Sequence, residues 1–285
     1  MTQISETDLI LNPDGSVYHL NLKPEDISNT ILTVGDPDRV EKITELFESV
    51  DFKTKHREFV THRGVYKGKV LTVMSTGMGT DNIEIFLNEL DALVNVNLTT
   101  RTIKEKKTSL NIIRIGTSGS MQKDIPVGSL LASEMAVGLD TLMCYYHLEQ
   151  TKEEQAISKA LQSATGLPFE PYAVTGSKIL KGRLAFDMIH GNTVTCPGFY
   201  GPQGRTLRAK NKLPGFMDVL NEFRQDDFRL TNFEMETAGY YALGRMLGHE
   251  VLSLNAILAN RVTHEFAKEP AKVVDDLIKK VLDRI

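Results

Sequence analysis

Cysteine is scarce in this 285-residue chain, which contains only Cys144 and Cys196. Two cysteines are too few for a disulfide framework and are typical of proteins in a reducing compartment. Residues 1–11 include acidic side chains but no basic region, and no apolar run approaches the length of a membrane span. We therefore expect no signal peptide, no membrane segment and a cytoplasmic location.

A basic excess is also missing, since the formal charge is −4 and the isoelectric point is about 6.0. Proteins that bind nucleic acids or anionic membranes usually carry a basic stripe, so the charge argues against both as main partners. The seven histidines do not fall into a metal-ligand spacing. A dinucleotide-binding fingerprint would need a third glycine at position 82, where this chain has Asn82. The sequence thus predicts neither a metal centre nor a dinucleotide cofactor.

The overall composition is that of a globular protein, with 41% apolar and 25% charged residues. Such a chain can bury a large core. No repeat, linker or low-complexity tract interrupts it. We therefore expect one or two domains.

The stretch Asn111–Gly119 is a short β-branched run that carries Arg114 and ends in two glycines with hydroxyl side chains between them. Such a run is typical of a buried parallel strand, and open α/β sheets bind ligands beyond the carboxyl ends of these strands. A buried guanidinium is costly unless its charge is paired. Arg114 should therefore meet either a buried carboxylate or a bound phosphate, and this stretch alone does not decide between them.

A second predicted strand, Ile31–Val34, ends at Gly35. Asp36 and Pro37 then supply a helix N-cap and a first helical residue, and Arg39 lies one turn in. Backbone N–H groups and the helix dipole would favour an anion at such a turn. Because many strand-to-helix turns share this pattern and bind nothing, the turn is only a candidate site.

Other local signals are structural. The helix after Pro37 should present one apolar face, and hairpin and capping patterns recur further along the chain. These signals are the face Val40, Ile43 and Phe47, the hairpin turn Lys67–Gly68, the N-cap Asp81 after the Gly77–Gly79 turn, and the capping box Thr151–Glu154.

The stretch Cys196–Arg208 contains too many glycines and prolines for a regular element. It carries Phe199, Gln203 and Arg205. An aromatic ring beside amide and guanidinium donors suits a planar heteroaromatic ligand.

The stretch Asn232–Glu236 leads into a predicted helix and places Glu234 and Glu236 at its start. Acidic residues in a first helical turn commonly compensate the helix dipole. The alternative is that they face a ligand, and the pattern does not separate the two interpretations. The apolar run Val251–Leu258 then forms a strand that ends at Asn260 and Arg261.

Taken together and in order, seven separated stretches resemble the uridine-cleaving branch of the nucleoside phosphorylase family over nearly the whole chain. The resemblance implies a single α/β domain with a central mixed, partly barrel-like sheet flanked by helices. It also implies uridine and inorganic phosphate as substrates, no cofactor, and a homo-oligomer, either dimer or hexamer, that shares its active sites between subunits. The matching stretches are Tyr18–Leu20, Gly35–Arg39, His56–Phe59, Arg114–Gly119, Phe199–Arg205, Phe233–Glu236 and Asn260–Arg261.

The same resemblance implies roles for individual residues. Phosphate would be bound by Gly35, Arg39, Arg114 and Thr117, with Arg57 from the neighbouring subunit. Ribose would be bound by Glu234, Met235 and Glu236, with His19 from the neighbouring subunit. The base would be bound by Phe199, Gln203 and Arg205, while Arg261 would position the base-binding loop. The catalytic residues would be Arg114, Glu236 and Arg205.

Elementary chemistry agrees with these roles. Planar guanidinium groups suit a phosphate dianion better than ammonium groups do. A carboxylate beneath the ribose and cationic donors around the base would stabilise an oxocarbenium-like sugar and a departing base. The Gln203 amide can accept from the uracil N–H and donate to one carbonyl, leaving the other carbonyl for Arg205, which favours uracil over cytosine. Purine-specific relatives have Ser-Asp where this chain has Asn260 and Arg261.

The chain departs from its relatives at two turns. Thr80–Asn82 replaces a different sequence after the Gly77–Gly79 turn, which weighs against the potassium site that some bacterial relatives build there with Glu58. Gly201–Pro202 precedes Gln203, where the usual relatives have another residue followed by glycine, so the loop geometry should differ.

Two other functions on the same fold stay open. A nucleosidase would use water in place of phosphate, and it would not need the Arg39, Arg57 and Arg114 cluster. A catalytically silent nucleoside-binding protein would have no reason to keep a phosphate site.

Overall fold

The structure is a computed structural model that describes residues 3–285. The contacts of the chain divide it into two compact units. The first unit comprises the chain up to Arg114 with Leu243–Glu250, and the second comprises Ile115–Ala242 with Val251–Ile285. The expectation of one domain over residues 1–285 stays a prediction.

Strands and helices alternate along much of the described chain. The strands are β1 Thr30–Val34, β2 Ser49–His56, β3 Phe59–Tyr66, β4 Lys69–Ser75, β5 Val96–Asn97, β6 Thr102–Ile103, β7 Asn111–Ser120, β8 Leu130–Gly138, β9 Tyr172–Thr175, β10 Ile189–Thr195, β11 Arg224–Gln225, β12 Phe228–Arg229, β13 Asn232–Glu234, β14 Glu250–Asn260 and β15 Glu265–Phe266. The α-helices are α1 Asp38–Thr44, α2 Thr80–Asn95, α3 Lys152–Thr165, α4 Lys178–Leu184, α5 Phe216–Glu222, α6 Thr237–Leu247 and α7 Pro270–Leu282. Short 3-10 turns occur at Pro24–Asp26, Leu142–Cys144 and Gly201–Gln203.

The first unit contains strands in the order β2, β3, β4, β1 and β7. β2, β3 and β4 form antiparallel pairs, whereas β1 runs parallel to both β4 and β7. Thr33 of β1 is in register with Met74 of β4 and with Arg114 of β7. Because parallel strands end at the same edge, this register brings the carboxyl end of β1 beside Arg114.

The second unit contains a mixed sheet. β7 pairs antiparallel with β13, which is followed by the parallel strands β10 and β8 and then by antiparallel β14. β14 also pairs with β7, so these five strands close on themselves. The predicted α/β fold with a mixed, partly barrel-like sheet is therefore confirmed.

The core of the second unit lies where this sheet meets α3 and α5. Buried side chains of the strands pack there with apolar side chains of the two helices, and each fully buried Leu or Val contributes about 1.5–3 kcal/mol of transfer free energy. The cluster includes Val137, Ile157, Leu161, Val194 and Leu220.

Most of the local predictions are confirmed. The capping box is present, since the Thr151 side chain accepts from the N–H of Glu154 and the Glu154 side chain accepts from the N–H of Thr151. The hairpin turn Lys67–Gly68 joins β3 to β4, and both of its residues have positive φ. The N-cap predicted at Asp36 is wrong by one residue, because α1 begins at Asp38 with Pro37 as its N-cap, although Asp36 Oδ1 accepts from the N–H of Asp38 at 3.0 Å.

Two further predictions about helix ends were wrong. Phe47 does not lie on the first helix, because α1 ends at Thr44. Asp81 is not an N-cap, because α2 begins one residue earlier at Thr80, after Gly79. Gly79 has a φ of 93°, a left-handed conformation that glycine adopts without steric cost, so backbone geometry rather than a side chain starts this helix.

No helix within residues 3–285 is both long and apolar enough to cross a membrane.

Candidate active site

In the first unit, the carboxyl ends of β1 and β4 lie beside Arg114 in the middle of β7. Thr76, just after β4, donates its N–H to the carbonyl oxygen of Val34 at 2.9 Å. A Cβ added to Gly35 would lie 3.3 Å from the carbonyl oxygen of Gly77, so a larger residue would crowd this turn. Arg114 is buried at the same edge, with 5% of its surface exposed. Gly35 therefore lies two residues beyond Thr33, the β1 residue that is in register with Arg114, and the phosphate role assigned to Arg114 stays a prediction.

Arg39 lies in the first turn of α1, half-buried. Its N–H donates to the carbonyl oxygen of Asp36 at 3.1 Å, and the Asp36 side chain accepts the N–H of the preceding residue, Asp38, at 3.0 Å. The capped turn therefore fixes the backbone of Arg39 relative to Gly35. The phosphate role assigned to both residues stays a prediction.

His19 and Arg57, the two residues assigned to a neighbouring subunit's site, lie together in the first unit. Arg57 occupies the tight turn between β2 and β3 with a φ of 56°, and its guanidinium carbon lies 5.5 Å from the centroid of the Tyr18 ring. The adjacent His56 donates from Nδ1 to the carbonyl oxygen of His19 at 2.8 Å. One surface of the chain thus carries both residues.

Glu89 of α2 holds this segment and was missed by the sequence interpretation. Its carboxylate lies 2.6 Å from Nδ1 of His19 and accepts the backbone N–H groups of His19 and Leu20. Glu89 is 70 positions from His19, so no local pattern connects the two. The only hint is a carboxylate on an amphipathic helix beside the apolar residues Phe86 and Leu90.

In the second unit, Thr117 lies half-buried on β7, and Glu234 ends β13. The buried carboxylate of Glu234 accepts the N–H groups of Glu236 and Thr237, each at 3.0 Å, and the hydroxyl of Thr195 at 2.7 Å. Glu234 therefore caps α6, which agrees with the interpretation that an acid at a helix start stabilises the helix. Its ribose role and that of Thr117 toward phosphate stay predictions.

Met235 and Glu236 connect β13 to α6. Glu236 is buried, with 6% of its surface exposed, and its carbonyl oxygen accepts the N–H of Tyr240. Met235 is half-buried. The two acids thus differ: the Glu234 side chain stabilises the start of the helix, whereas Glu236 contributes its backbone carbonyl to the first turn.

Phe199, Gln203 and Arg205 form one cluster in the loop after β10. The guanidinium carbon of Arg205 lies 3.7 Å from the centroid of the Phe199 ring. Arg205 Nη1 donates to the carbonyl oxygen of Phe199 at 2.6 Å and to Oε1 of Gln203. Gln203 is nearly inaccessible, with 2% of its surface exposed, whereas half of Phe199 is exposed. The loop therefore brings an aromatic face, an amide and a guanidinium together, and their role toward a base stays a prediction.

Arg261, which follows β14, is hydrogen-bonded to this loop. Its Nη1 donates to the carbonyl oxygen of Gln203 at 3.1 Å. The predicted role of Arg261 in positioning the loop for a base stays a prediction. The guanidinium carbons of Arg205 and Arg261 lie 5.8 and 5.9 Å from the centroid of the Phe233 ring. Burial and then the charge of Arg261 lower the pKa of Arg205. Two like charges over one ring create a site that would stabilise an electron-rich ligand.

Cys196, at the start of the loop, is not suited to nucleophilic chemistry. Burial, and then the negative charge of Glu234, raise the pKa of its thiol far above the usual range. A thiol that stays protonated is a poor nucleophile. Within residues 3–285 no three His, Cys, Asp or Glu side chains are grouped so that they could hold a metal ion. The expectation of no cofactor, and the argument against a potassium site at Glu58, stay predictions.

Two cavities flank the loop after β10. One, of about 730 Å³, is lined by loop residues that include Tyr200 and Arg205 and by apolar side chains such as Leu139 and Phe216. The other, of about 670 Å³, is lined in part by Gly204 and Arg261. The loop is therefore not packed into the core on these sides.

Comparison with known proteins places these features in a family. Residues 29–285 match the family model described as "Phosphorylase superfamily". A uridine phosphorylase of Thermococcus kodakarensis is 31% identical over 271 residues, covering 93% of this chain and 87% of that protein. A DeoD-type purine nucleoside phosphorylase of Caldanaerobacter subterraneus subsp. tengcongensis is 29% identical over 275 residues, covering 93% and 98%.

A solved structure is similar over the whole length. The Trypanosoma brucei nucleoside phosphorylase, described as showing uridine phosphorylase activity, is 29% identical with a TM-score of 0.88, covering 97% of this chain and 99% of that one. The family implies a pentosyltransferase whose substrates are a nucleoside and phosphate. On these matches, the chain belongs to the phosphorylase superfamily and is a nucleoside phosphorylase by family.

Proposed function

We propose that the chain catalyses reversible phosphorolysis of uridine to uracil and ribose 1-phosphate. The observation that carries this proposal is the cluster of Phe199, Gln203 and Arg205, held by Arg261. A planar ring can stack on Phe199, while the Gln203 amide and the Arg205 guanidinium offer the donors and the acceptor that the uracil edge requires.

In the proposed reaction, phosphate attacks the anomeric carbon and the bond from that carbon to the base breaks. The electron pair of this bond stays with uracil, which then takes a proton. Arg205 stabilises the charge that develops on the base, and Glu236 stabilises the oxocarbenium-like ribose. Arg39, Arg114 and the Gly35 turn hold the phosphate, and the chain itself forms no covalent intermediate.

The choice of base needs a separate argument, because a uridine phosphorylase and a purine nucleoside phosphorylase match this chain at similar identity. Purine-specific relatives place an aspartate where this chain has Arg261, and here Arg261 donates to the loop instead. A site built for the uracil edge leaves buried polar groups unpaired when cytosine or a purine enters, which strongly rejects the analogue.

We further propose that the active protein is at least a dimer, with His19 and Arg57 reaching the neighbouring subunit's site. The two side chains lie on one surface of the first unit, so one subunit could offer both to its neighbour.

The test is to incubate the protein with uridine in the presence and absence of phosphate and to follow free uracil and ribose 1-phosphate. Uracil release that requires phosphate and produces an equal amount of ribose 1-phosphate is expected. Release without phosphate would instead support a nucleosidase, and binding without turnover would support a nucleoside-binding protein.

Base specificity is tested by measuring the cleavage of cytidine and inosine beside that of uridine, at saturating phosphate. We expect kcat/KM for uridine to exceed that for both, and Gln203→Ala to reduce the preference. Inosine cleavage within about tenfold of uridine, a gap of only ~1.4 kcal/mol in transition-state binding, would contradict the assignment to uracil.

A further inference from the structure

The contact between Glu89 and His19 determines which ring nitrogen of His19 is available to a ligand. Oε1 of Glu89 lies 2.6 Å from Nδ1 of His19. A carboxylate only accepts hydrogen bonds, so Nδ1 carries the proton of this contact. In the neutral ring the other nitrogen, Nε2, is then an acceptor. Among residues 3–285, Nε2 of His19 has no hydrogen-bond partner.

The same carboxylate fixes the backbone that carries this ring. The N–H groups of His19 and Leu20 donate to Glu89 at 2.9 and 2.8 Å. The carbonyl oxygen of His19 accepts from His56 at 2.8 Å. Only 13% of the Glu89 side chain is exposed, against 28% for His19. Glu89 is thus largely shielded while the imidazole it holds reaches solvent.

We propose that Glu89 is a positioning residue that sets the tautomer and orientation of His19, so that Nε2 accepts a hydrogen bond from the 5′-hydroxyl of a nucleoside. This inference rests on the proposed function, in which His19 reaches the ribose in the neighbouring subunit's site. A carboxylate behind an imidazole fixes both the ring and its protonated nitrogen, as carboxylates do behind metal-binding histidines. A sugar hydroxyl donates to the acceptor nitrogen that remains.

The central experiment uses Glu89→Gln, which retains the size of the side chain. Its amide oxygen can still accept the N–H groups of His19 and Leu20. Its amide NH₂ would face Nδ1 as a donor, so Nδ1 must become an acceptor and the proton moves to Nε2. The variant therefore preserves the backbone contacts and reverses the role of the ring nitrogen that faces the sugar.

The kinetic readout compares uridine with 5′-deoxyuridine, which lacks the hydroxyl. We expect Glu89→Gln to reduce kcat/KM for uridine about fivefold to tenfold, mainly through KM, which is the size expected for one hydrogen bond. The value for 5′-deoxyuridine should stay unchanged. Asp81→Asn, a carboxylate-to-amide change at an exposed position of the same helix, should affect neither substrate.

A second readout does not depend on turnover. The ¹⁵N chemical shifts of the His19 ring should show a protonated Nδ1 in the unaltered protein and a protonated Nε2 in Glu89→Gln. In a His19→Ala background, Glu89→Gln should cause no further loss with uridine, because the positioned group is already gone.

An equal loss with both substrates, or a full further loss in the His19→Ala background, would show that Glu89 only stabilises the segment and would overturn the inference. Unaltered protein that fails to cleave uridine with phosphate would overturn the proposed function instead. The two failures are therefore distinguished within one set of measurements.

Discussion

The residues proposed for phosphate and those proposed for the base are held by different means. Gly35 follows β1 directly, and Arg114 belongs to β7. Because β1 and β7 are paired in parallel, backbone hydrogen bonds fix the positions of both residues. Gln203 and Arg205 lie in an irregular loop flanked by cavities, held by side-chain contacts with Phe199 and Arg261. A ladder tolerates little displacement, whereas a loop can change with a few substitutions. If the proposed roles hold, we expect base choice to change more readily than phosphate binding among relatives that share this fold.

The largest effect should follow Arg114→Ala on the strand side. We expect kcat/KM for phosphorolysis to fall at least about 100-fold, because charge-assisted hydrogen bonds contribute about 1.5–3 kcal/mol each and position the nucleophile. Arg183→Ala, at an exposed position of α4, is the matched control. Turnover within a few-fold of the unaltered protein would remove Arg114 from the site. A variant that unfolds at a clearly lower temperature but keeps its activity while folded would mark Arg114 as a core ion-pair residue.

Mixing subunits tests whether the surface with His19 and Arg57 completes a neighbour's site. Arg57→Ala and Glu236→Ala should each be inactive alone. After subunit exchange in a dimer, roughly a quarter of the sites should be intact, because half of the dimers are hybrids and each hybrid has one unaltered site. Activity is measured before and after exchange. No recovery in mixtures shown to have exchanged would contradict a shared site.

Glu234 and Glu236, two residues apart at the end of β13, allow a structural role and a ligand-binding role to be compared directly. Glu234→Gln should lower the free energy of unfolding by about 2 kcal/mol, because a buried carboxylate that caps α6 loses charge-assisted acceptor contacts. Glu236→Gln should change stability less and activity far more. Denaturant unfolding and turnover, measured on both variants, separate the two. The reverse pattern would assign the ligand contact to Glu234 and the structural role to Glu236.

The smallest effect should follow Arg261→Ala, which removes the side chain that contacts the loop with Gln203. We expect KM for uridine to rise up to about tenfold, since one hydrogen bond to the Gln203 carbonyl and one cation–π contact are lost, together about 1–1.5 kcal/mol. KM for phosphate should not change. Lys268→Ala, an exposed change nearby in the chain, serves as control. Equal increases in both KM values would show that the loop and the phosphate residues do not act independently.

Local patterns in the sequence predicted the parts of the site that depend on neighbouring residues. The β-branched run around Arg114 was a buried strand, and the Asp36 side chain accepts an N–H of the turn that carries Arg39. The loop with Gln203 contains no strand or α-helix, only the 3-10 turn Gly201–Gln203, as its glycines and prolines indicated. These features follow from backbone geometry and side-chain chemistry within a few positions, which a sequence displays directly.

Helix starts were less predictable where the backbone itself begins the helix. Asp81 has the chemistry of a cap, yet α2 starts after Gly79 in a left-handed conformation. The sequence could not choose between a polar side chain and a glycine turn two residues apart, because both are common ways to begin a helix.

The sequence by itself determined the strand-and-helix pattern, the irregular base-binding loop and the residue types that a phosphate and a planar base require. Only the tertiary structure decided that Glu234 serves α6, that Arg261 holds the Gln203 carbonyl, and that Glu89 holds His19 across 70 positions of chain. The physical reason is that a side chain's identity limits what it can donate or accept, whereas its partner is chosen by which distant elements the packed sheets and helices bring within hydrogen-bond distance.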